Sequence, residues 1–520
     1  MPIFTGTGAS DYLPGSDDDD TLRGLAGNDT LDASHGKDSL QGGSGSDVLY
    51  GDGGKDVLYG GSDMDFLYGG GSTDTLYGNG GDDYLSDDSG ISYLDGGAGD
   101  DGLGVQGNTA ATLIGGGGDD VLSVLAMADM TILADAGSGK DYISIGTMTG
   151  GTAQIDAGTG NDTVFIGALD GADMTLAGGD GTDFLFTAAA SVLHFDIGET
   201  SHTYTSATGT TAVITGFETF EFLLGTGNDR IVLGAGDDVV WADAGANFVS
   251  MGQGKDEVSY DLGAANTLDG GDGHDLLDLT AGAQSVTFLV DTMTGDASDG
   301  LGSVLTGFET FRVTGGSVAG SYSLGTGDDS FYGGTADDTI WGQGGSDLLY
   351  GGALAYGGGG TDYMSSELIG ARLYGGGGND RMGTFTFHTD IAARLFGGEG
   401  DDFFDLAYGP TSLTGGAGSD VFSWYFDTRH DDTITDFTSG EDQLQISNSA
   451  TSGTAGPIRS SQFSLDAAVG AHGQFVLTYH KATDTSHLFW DPDGTGSAEA
   501  VNLMAFTGEV AMTFEDITLI

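Results

Sequence analysis

A chain of 520 residues with 99 Gly, no Cys and 79 Asp+Glu against 13 Lys+Arg carries a formal charge of −66. That acidity excludes nucleic acid and anionic membrane surfaces as natural partners, and the absence of cysteine excludes disulfide stabilisation. Five prolines without a triplet period exclude collagen, and 10% aromatic residues set the chain apart from a disordered acidic tail.

The first residues, MPIFTGTGASDYLPG, have neither the basic nor the apolar region of a Sec signal peptide. No apolar run reaches the length of a membrane span. From Gly6 the chain falls into eleven consecutive nonads over residues 6–104. The eighth place is always leucine: Leu13, Leu22, Leu31, Leu40, Leu49, Leu58, Leu67, Leu76, Leu85, Leu94 and Leu103. The sixth is Asp11, Asp20, Asp29, Asp38, Asp47, Asp56, Asp65, Asp74, Asp83 and Asp101, with Ser92 interrupting once.

Glycine permits positive φ and close backbone approach, so the first six residues of a nonad read as a tight turn. The last three read as a short strand whose middle residue, the leucine, faces inward. Two nonads make one coil, and coils stack at ~4.8 Å, which brings aspartates eighteen residues apart onto one edge. Carboxylates at that spacing repel by roughly 3–4 kcal/mol at an effective dielectric of 20. Ordering nine residues costs about 9–18 kcal/mol, while a buried leucine returns about 1.5–3 kcal/mol. A cation between turns reverses the repulsion and supplies what is missing. Calcium suits such a turn because it takes six to eight hard oxygens from carbonyls and carboxylates. The chain is therefore expected to be largely unfolded without calcium.

The nonad resembles the RTX (repeats-in-toxin) repeat GGxGxDxUx. The resemblance implies an all-β fold, a right-handed parallel β-roll or β-solenoid of these nonads with a β-rich C-terminal cap, and calcium between successive turns on both edges of residues 1–104. It also implies passage through the type I secretion machinery, unfolded until outside, and an extracellular or cell-surface location on a Gram-negative bacterium. Some turns depart from the pattern: Ala33 and Ser34 replace two glycines, and Asp18, Asp63 and Ser72 fill fourth places where glycine is usual.

Over residues 105–186 the aspartates Asp120, Asp141, Asp162 and Asp183 stand twenty-one apart, so one edge keeps the metal turns. The other edge carries Met127, Met130, Met148 and Met174, for packing or for contact. Residues 187–223 form an insert. Roll-like turns return at 224–278 with Asp229, Asp238, Asp256 and Asp275, followed by a second insert at 279–323. The inserts end alike, in VITGFETF (213–220) and VLTGFETF (304–311), an internal duplication. They are read as wider coils or packed flaps on one solenoid, or as joints between separate rods. Residues 324–423 continue the roll with Asp329, Asp338, Asp347, Asp362, Asp380, Asp402 and Asp420, while Leu373 and Leu413 keep the eighth place without the aspartate. If each turn shares its ion with the next, the ladder holds on the order of twenty calcium ions.

Residues 424–520 read as a cap over the open end of the last coil, built on Trp424, Tyr425, Phe426, Phe475, Phe489, Trp490 and Phe514. The segment also looks like the closing module and secretion signal of type I-exported RTX proteins. Asp491, Asp493 and Glu499 form either one more metal loop or a plain loop. Tyr50, Tyr59, Tyr68 and Tyr77, and again Tyr332, Trp341 and Tyr350, stand beside the inward residue and face outward. Two readings of them stand: ordinary neighbour stacking, or a flat face for another copy or a cell-surface polysaccharide.

Neither HExxH, GxSxG nor GxxxxGK[ST] occurs. The nine histidines, among them His35, His194, His274 and His430, lack metal-ligand spacing. With repeats beginning at residue 6, no catalytic domain is expected ahead of them. The expectation is a non-enzymatic secreted calcium protein that self-associates at the cell surface, resembling surface-layer or matrix RTX proteins. The alternative is an adhesin or carbohydrate-binding solenoid, followed by a non-catalytic relative of an RTX enzyme.

Overall fold

The computed structural model describes every residue except 1, 126–127, 168–171, 189–193, 197–201, 206–210, 335–336, 386–392, 409–410, 425–431, 448–455, 467–472 and 494–499. Met127, Tyr425, Phe426, His430 and Glu499 thus lie outside the described residues. The chain divides into two units, Met1–Gly273 and His274–Ile520.

In the first unit each strand pairs in parallel with the strand one coil further on. Leu22, Leu40, Leu58, Leu76 and Leu94 are successive partners in one sheet. Leu13, Leu31, Leu49, Leu67, Leu85 and Leu103 are partners in the other. The step is eighteen, so two nonads make one coil. Leucines 22 to 94 are 0% exposed and Leu103 1%, because a two-residue side-chain period lets only the middle residue of the triplet enter the space between sheets.

Several strands run beyond the expected triplet into the glycines, as in Thr21–Ala26 and Ser39–Ser44. The turn backbone also pairs coil to coil: Gly27 N–H donates to the Ser44 carbonyl at 2.9 Å. From Leu25 to Gly99 the second and fourth places of the nonad take positive φ, Asp88 excepted. Where glycine is absent the chain still adopts it, at Leu25 (86°), Ser34 (71°), Asp63 (75°) and Ser72 (117°), each at a cost of about 1–2 kcal/mol.

Beyond residue 104 the partners become Leu103, Leu122, Ile143, Val164 and Leu185. Met130, Met148 and Met174 are buried, filling the wider coils. The first insert then lengthens a single coil. Strand Thr211–Thr215 pairs with Asp173–Ala177 in parallel and with His202–Thr205 antiparallel, and Phe220 arrives opposite Leu185. Phe220 is 1% exposed and fills the leucine place.

The second unit repeats this device. Phe311 lies opposite Leu277, and an antiparallel flap formed by residues 287–290, 297–298 and 304–306 occupies the interval. One core column then runs Val313, Phe331, Leu349, Met364, Met382, Phe404, Phe422, Leu444 and Ile517. The facing column runs Tyr322, Ile340, Ala355, Leu373, Leu395, Leu413, Ile434 and Phe506. Parallel stacking therefore extends past residue 423, and antiparallel strands Gln474–His480, Thr485–Asp491 and Val501–Thr507 adjoin its end. Trp424, Phe475 and Trp490 are buried there, and Phe489 and Phe514 are half-buried.

Candidate metal centres along the coil edges

The sixth-place aspartates stack into ladders in which each does two jobs. On one edge the backbone N–H of Asp11 donates to Asp29 Oδ1 at 2.7 Å. The same bond joins Asp29 to Asp47, Asp47 to Asp65, Asp65 to Asp83 and Asp83 to Asp101. It continues through Asp120, Asp141, Asp162 and Asp183. The opposite edge joins Asp20, Asp38, Asp56 and Asp74 in the same way. After the first insert Asp238 accepts from Phe220 N–H, and Asp256 accepts from Asp238 N–H. In the second unit Phe311 N–H opens a ladder through Asp329, Asp347, Asp362, Asp380, Asp402 and Asp420. Asp338 accepts from Gly320 N–H on the other edge.

One carboxylate oxygen is thus consumed by backbone. The other, Oδ2, is buried and accepts no hydrogen bond in Asp29, Asp38, Asp47, Asp56, Asp65, Asp74, Asp83, Asp101, Asp120, Asp141, Asp162, Asp183, Asp238, Asp338, Asp347, Asp362, Asp380 and Asp402. A buried anionic oxygen without a donor is costly unless a cation meets it.

The glycine at the first place leaves the room. A Cβ added to Gly60 would lie 2.5 Å from Asp65 Oδ2 and 2.9 Å from the Gly78 carbonyl oxygen of the next coil. At Gly51 the same atom would meet Asp56 Oδ2 at 2.9 Å and the Gly69 carbonyl at 2.7 Å. Each cradle therefore combines a carboxylate oxygen with backbone carbonyls, the hard-oxygen set that suits calcium. Among the described residues no three acidic or histidine side chains converge, as expected where most donors are carbonyls. The first turns differ: the Oδ2 atoms of Asp11 and Asp20 take the N–H and hydroxyl of Thr7 and Ser16. Asp329 Oδ2 likewise takes Gly325 N–H.

Without a metal these carboxylates resist ionising. Burial above all, aided by neighbouring aspartates, pushes Asp56, Asp65, Asp101, Asp120 and Asp402 from the ordinary 3.8 up to about 7, and Asp347 to about 8.

The ladders contain residues that sequence reading missed. Asp183 N–H donates to Glu218 Oε2, and Asp275 N–H to Glu309 Oε2, both at 2.8 Å. The duplicated phrase TGFETF is thus a ladder turn with glutamate for aspartate, re-entering the edge after each insert. Asp229 and Asn247 donate their N–H groups to Asn247 and Asn266, whose neutral amides keep the hydrogen bond without the charge. Asp442 continues the ladder above Asp420. The signal was present in the sequence: each stands two places before a buried apolar residue, Phe220, Phe311, Val249, Leu268 or Leu444, as the aspartates do before leucine. Replacing Glu218 by Ala is expected to raise amide hydrogen exchange around Asp183 and Phe220 at saturating calcium, with exchange in residues 30–100 unchanged. Unchanged protection at Asp183 would show that the glutamate holds nothing.

The outward aromatics also stack. Tyr50 lies on Tyr68 at 5.1 Å and Tyr59 on Tyr77 at 5.0 Å between centroids, on opposite sheets. Tyr332 stacks on Tyr350 at 5.8 Å. Trp341 joins a different column, with Tyr356, Tyr374 and Phe396 at successive centroid distances of 5.9, 4.8 and 4.6 Å. At the C-terminal loop the Asp493 N–H caps Asp491 Oδ1 at 3.2 Å, a local turn.

Comparison with known families agrees with this geometry. The RTX calcium-binding nonapeptide repeat matches residues 5–40, 14–49, 36–67, 50–85, 77–103, 107–124 and 224–258. The C-terminal region of serralysin peptidases of the M10 class matches residues 332–519. That region is the non-catalytic repeat part of those peptidases. No curated protein matches the chain.

Proposed function

This chain carries RTX calcium-binding repeats and a serralysin-type C-terminal region of the kind found on type I-exported proteins, and from that premise we propose that it is a non-enzymatic structural protein which folds on meeting calcium outside a Gram-negative cell and self-associates at the surface as a coat or matrix component. The observation that carries the calcium-dependent part is the run of buried, undonated Oδ2 atoms facing next-coil carbonyls. The sixth-place aspartates are its metal ligands, and each ion clamps one coil to the next. Among the described residues no helix is long and apolar enough to cross a membrane, and the net charge of −66 needs counter-cations wherever copies pack together.

Replacing Asp65 by Asn separates the two jobs of a ladder aspartate. The amide oxygen still accepts the Asp47 N–H, while the charge toward the cradle is lost. Calcium titration is expected to show weaker binding, with an unchanged circular dichroism spectrum at saturating calcium. Unweakened binding would remove the aspartates from the ligand set.

Self-association is supported by the stacked tyrosines, of which Tyr50, Tyr59, Tyr332 and Tyr350 are more than a third exposed. Electron microscopy and sedimentation of purified protein are expected to reveal ordered sheets or filaments in millimolar calcium and none after chelation. Changing Tyr50, Tyr59, Tyr68 and Tyr77 to Ser together is expected to abolish them and spare calcium-driven folding. Dispersed, folded monomers would instead favour the second reading, a carbohydrate-binding or adhesive solenoid. That reading draws on the stacked column of Trp341, Tyr356, Tyr374 and Phe396, whose ring edges form an aromatic strip along one sheet.

A further inference from the structure

The second edge of the first unit ends in a turn unlike the rest. In residues 6–104 the first place of the nonad is glycine, with Ala33 and Asp87 as exceptions. A Cβ added to Gly51 or Gly60 would face the backbone carbonyl of Gly69 or Gly78, eighteen residues on. At Gly69 the oxygen met, at 2.8 Å, is the side-chain Oδ1 of Asp87. An anionic oxygen stands where the other cradles hold a neutral carbonyl.

The surroundings are built to hold it. Asp74 and Asp87 are each 1% exposed, and Ser92 and Asn108 each 2%. Asp87 Oδ2 accepts from the Ser92 hydroxyl and, at 3.4 Å, from Asn108 Nδ2, which also contacts Ser92 Oγ. That fixes the carboxylate and leaves three buried oxygens without a donor: Asp87 Oδ1, Asp74 Oδ2 and Asn108 Oδ1. The two side chains lie within hydrogen-bonding reach of one another, so that Asp74 raises Asp87 while Asp87 lowers Asp74. Burial, and then the Asp74 charge against the opposing Ser92 hydrogen bond, pushes Asp87 up to about 7. Lys55 supplies a partly offsetting positive charge at Asp74, and Asp56 adds a negative one.

We propose that Asp74 and Asp87 form a two-carboxylate site for an oxygen-preferring divalent cation, calcium first, with the Asn108 side-chain oxygen as a further donor. It rests on the reading that the coil edges hold cations, and goes beyond it in donor set. Ser92 takes away the sixth-place carboxylate that the next coil supplies at the other turns, and Asp87 puts one back. This turn thus keeps the pair of carboxylates that successive ladder aspartates such as Asp56 and Asp74 provide elsewhere. Ser92, which breaks the aspartate series, is then the residue that orients Asp87, and the second edge ends on a closed site.

The test uses the full chain, titrated with calcium by calorimetry and equilibrium dialysis. Two variants are compared with the parent: Asp87→Asn, which keeps the size, and Asp87→Gly, which restores the ordinary repeat. Both are expected to bind one calcium fewer at concentrations that just saturate the parent, that site's affinity falling by about tenfold or more, while circular dichroism at saturating calcium stays unchanged. Superimposable isotherms for parent and variants, with calcium still bound elsewhere, would overturn the two-carboxylate site and leave the coil-edge reading intact. A parent chain that binds no calcium would overturn both. Crystals of the parent grown in calcium give a readout independent of variant folding. An ion between Asp74 and Asp87 supports the proposal, and filled cradles elsewhere with none between these two overturn it.

Discussion

Chelation of calcium at pH 8 is expected to abolish most of the β-sheet circular dichroism of this chain, and readdition to restore it cooperatively. The cause lies in the ladders. Metal-free, each coil edge stacks buried carboxylates whose second oxygen meets no donor. The pH dependence follows from the raised carboxylates. Asp56, Asp65, Asp101, Asp120 and Asp402 titrate near 7 in the fold against an ordinary 3.8. The folded chain therefore binds more protons than the unfolded chain between about pH 4 and 7. Their contribution to metal-free stability is fully present below the unfolded value and is lost as pH rises through about 7. Acid is thus expected to substitute partly for calcium: chelated protein should regain structure as pH falls from 8 toward 5. Calcium affinity should move the other way, weakening as protons compete. A chelated sample at pH 8 with the spectrum and melting temperature of the calcium form would overturn this account.

The second large effect is steric. Gly61→Ala is expected to destabilise the calcium-loaded first unit by about 1–2 kcal/mol or more, whereas Gly104→Ala should change stability by less than about 0.5 kcal/mol. Gly61 sits at φ 133°, where an L-residue costs about 1–2 kcal/mol. Its added Cβ would also run into the carbonyl oxygen of Gly43 directly beneath it, which is backbone and cannot rotate away. The backbone must then turn toward the smaller positive φ at which Asn79 and Leu25 hold a Cβ at the same place, 76° and 86°, which strains the ladder bonds on either side. Gly104 has nothing within 4 Å of the same added atom. Because each coil touches only its neighbours, the first variant should also split thermal unfolding into two steps. Equal denaturation midpoints for the two variants would show that coil spacing is not limiting.

Much of the repeat was legible because its period is enforced by three independent demands on one backbone. Leucine every ninth residue marks the space between sheets, aspartate two places earlier marks the edge, and glycine marks the turn. Leu58 and Asp56 could be placed from the sequence for that reason. Glu218 and Glu309 were missed although they obey the same rule. Their apolar partner is Phe in place of Leu, and the long stretches before them hide the phase. Asn247 and Asn266 escaped because a search for metal charge passes over a residue whose amide serves the ladder bond alone. Asp87 was invisible as a site: nothing local says that a side-chain oxygen will occupy the place of a carbonyl eighteen residues from Gly69.

By itself the sequence determined the coil of two nonads, the parallel stacking, the inward leucines and the stacked tyrosine pairs, since all of these follow from a short period repeated many times. Only the tertiary structure decided which oxygen of each aspartate binds backbone and which is left for a cation, because that depends on the register of one coil against the next. It also decided that each insert lengthens a single coil and that the glutamates of TGFETF resume the ladder. Those contacts join residues 34 and 35 apart, beyond the reach of any repeat phase. The same holds for the meeting of Asp74, Asp87, Ser92 and Asn108, which depends on three successive coils lying in contact.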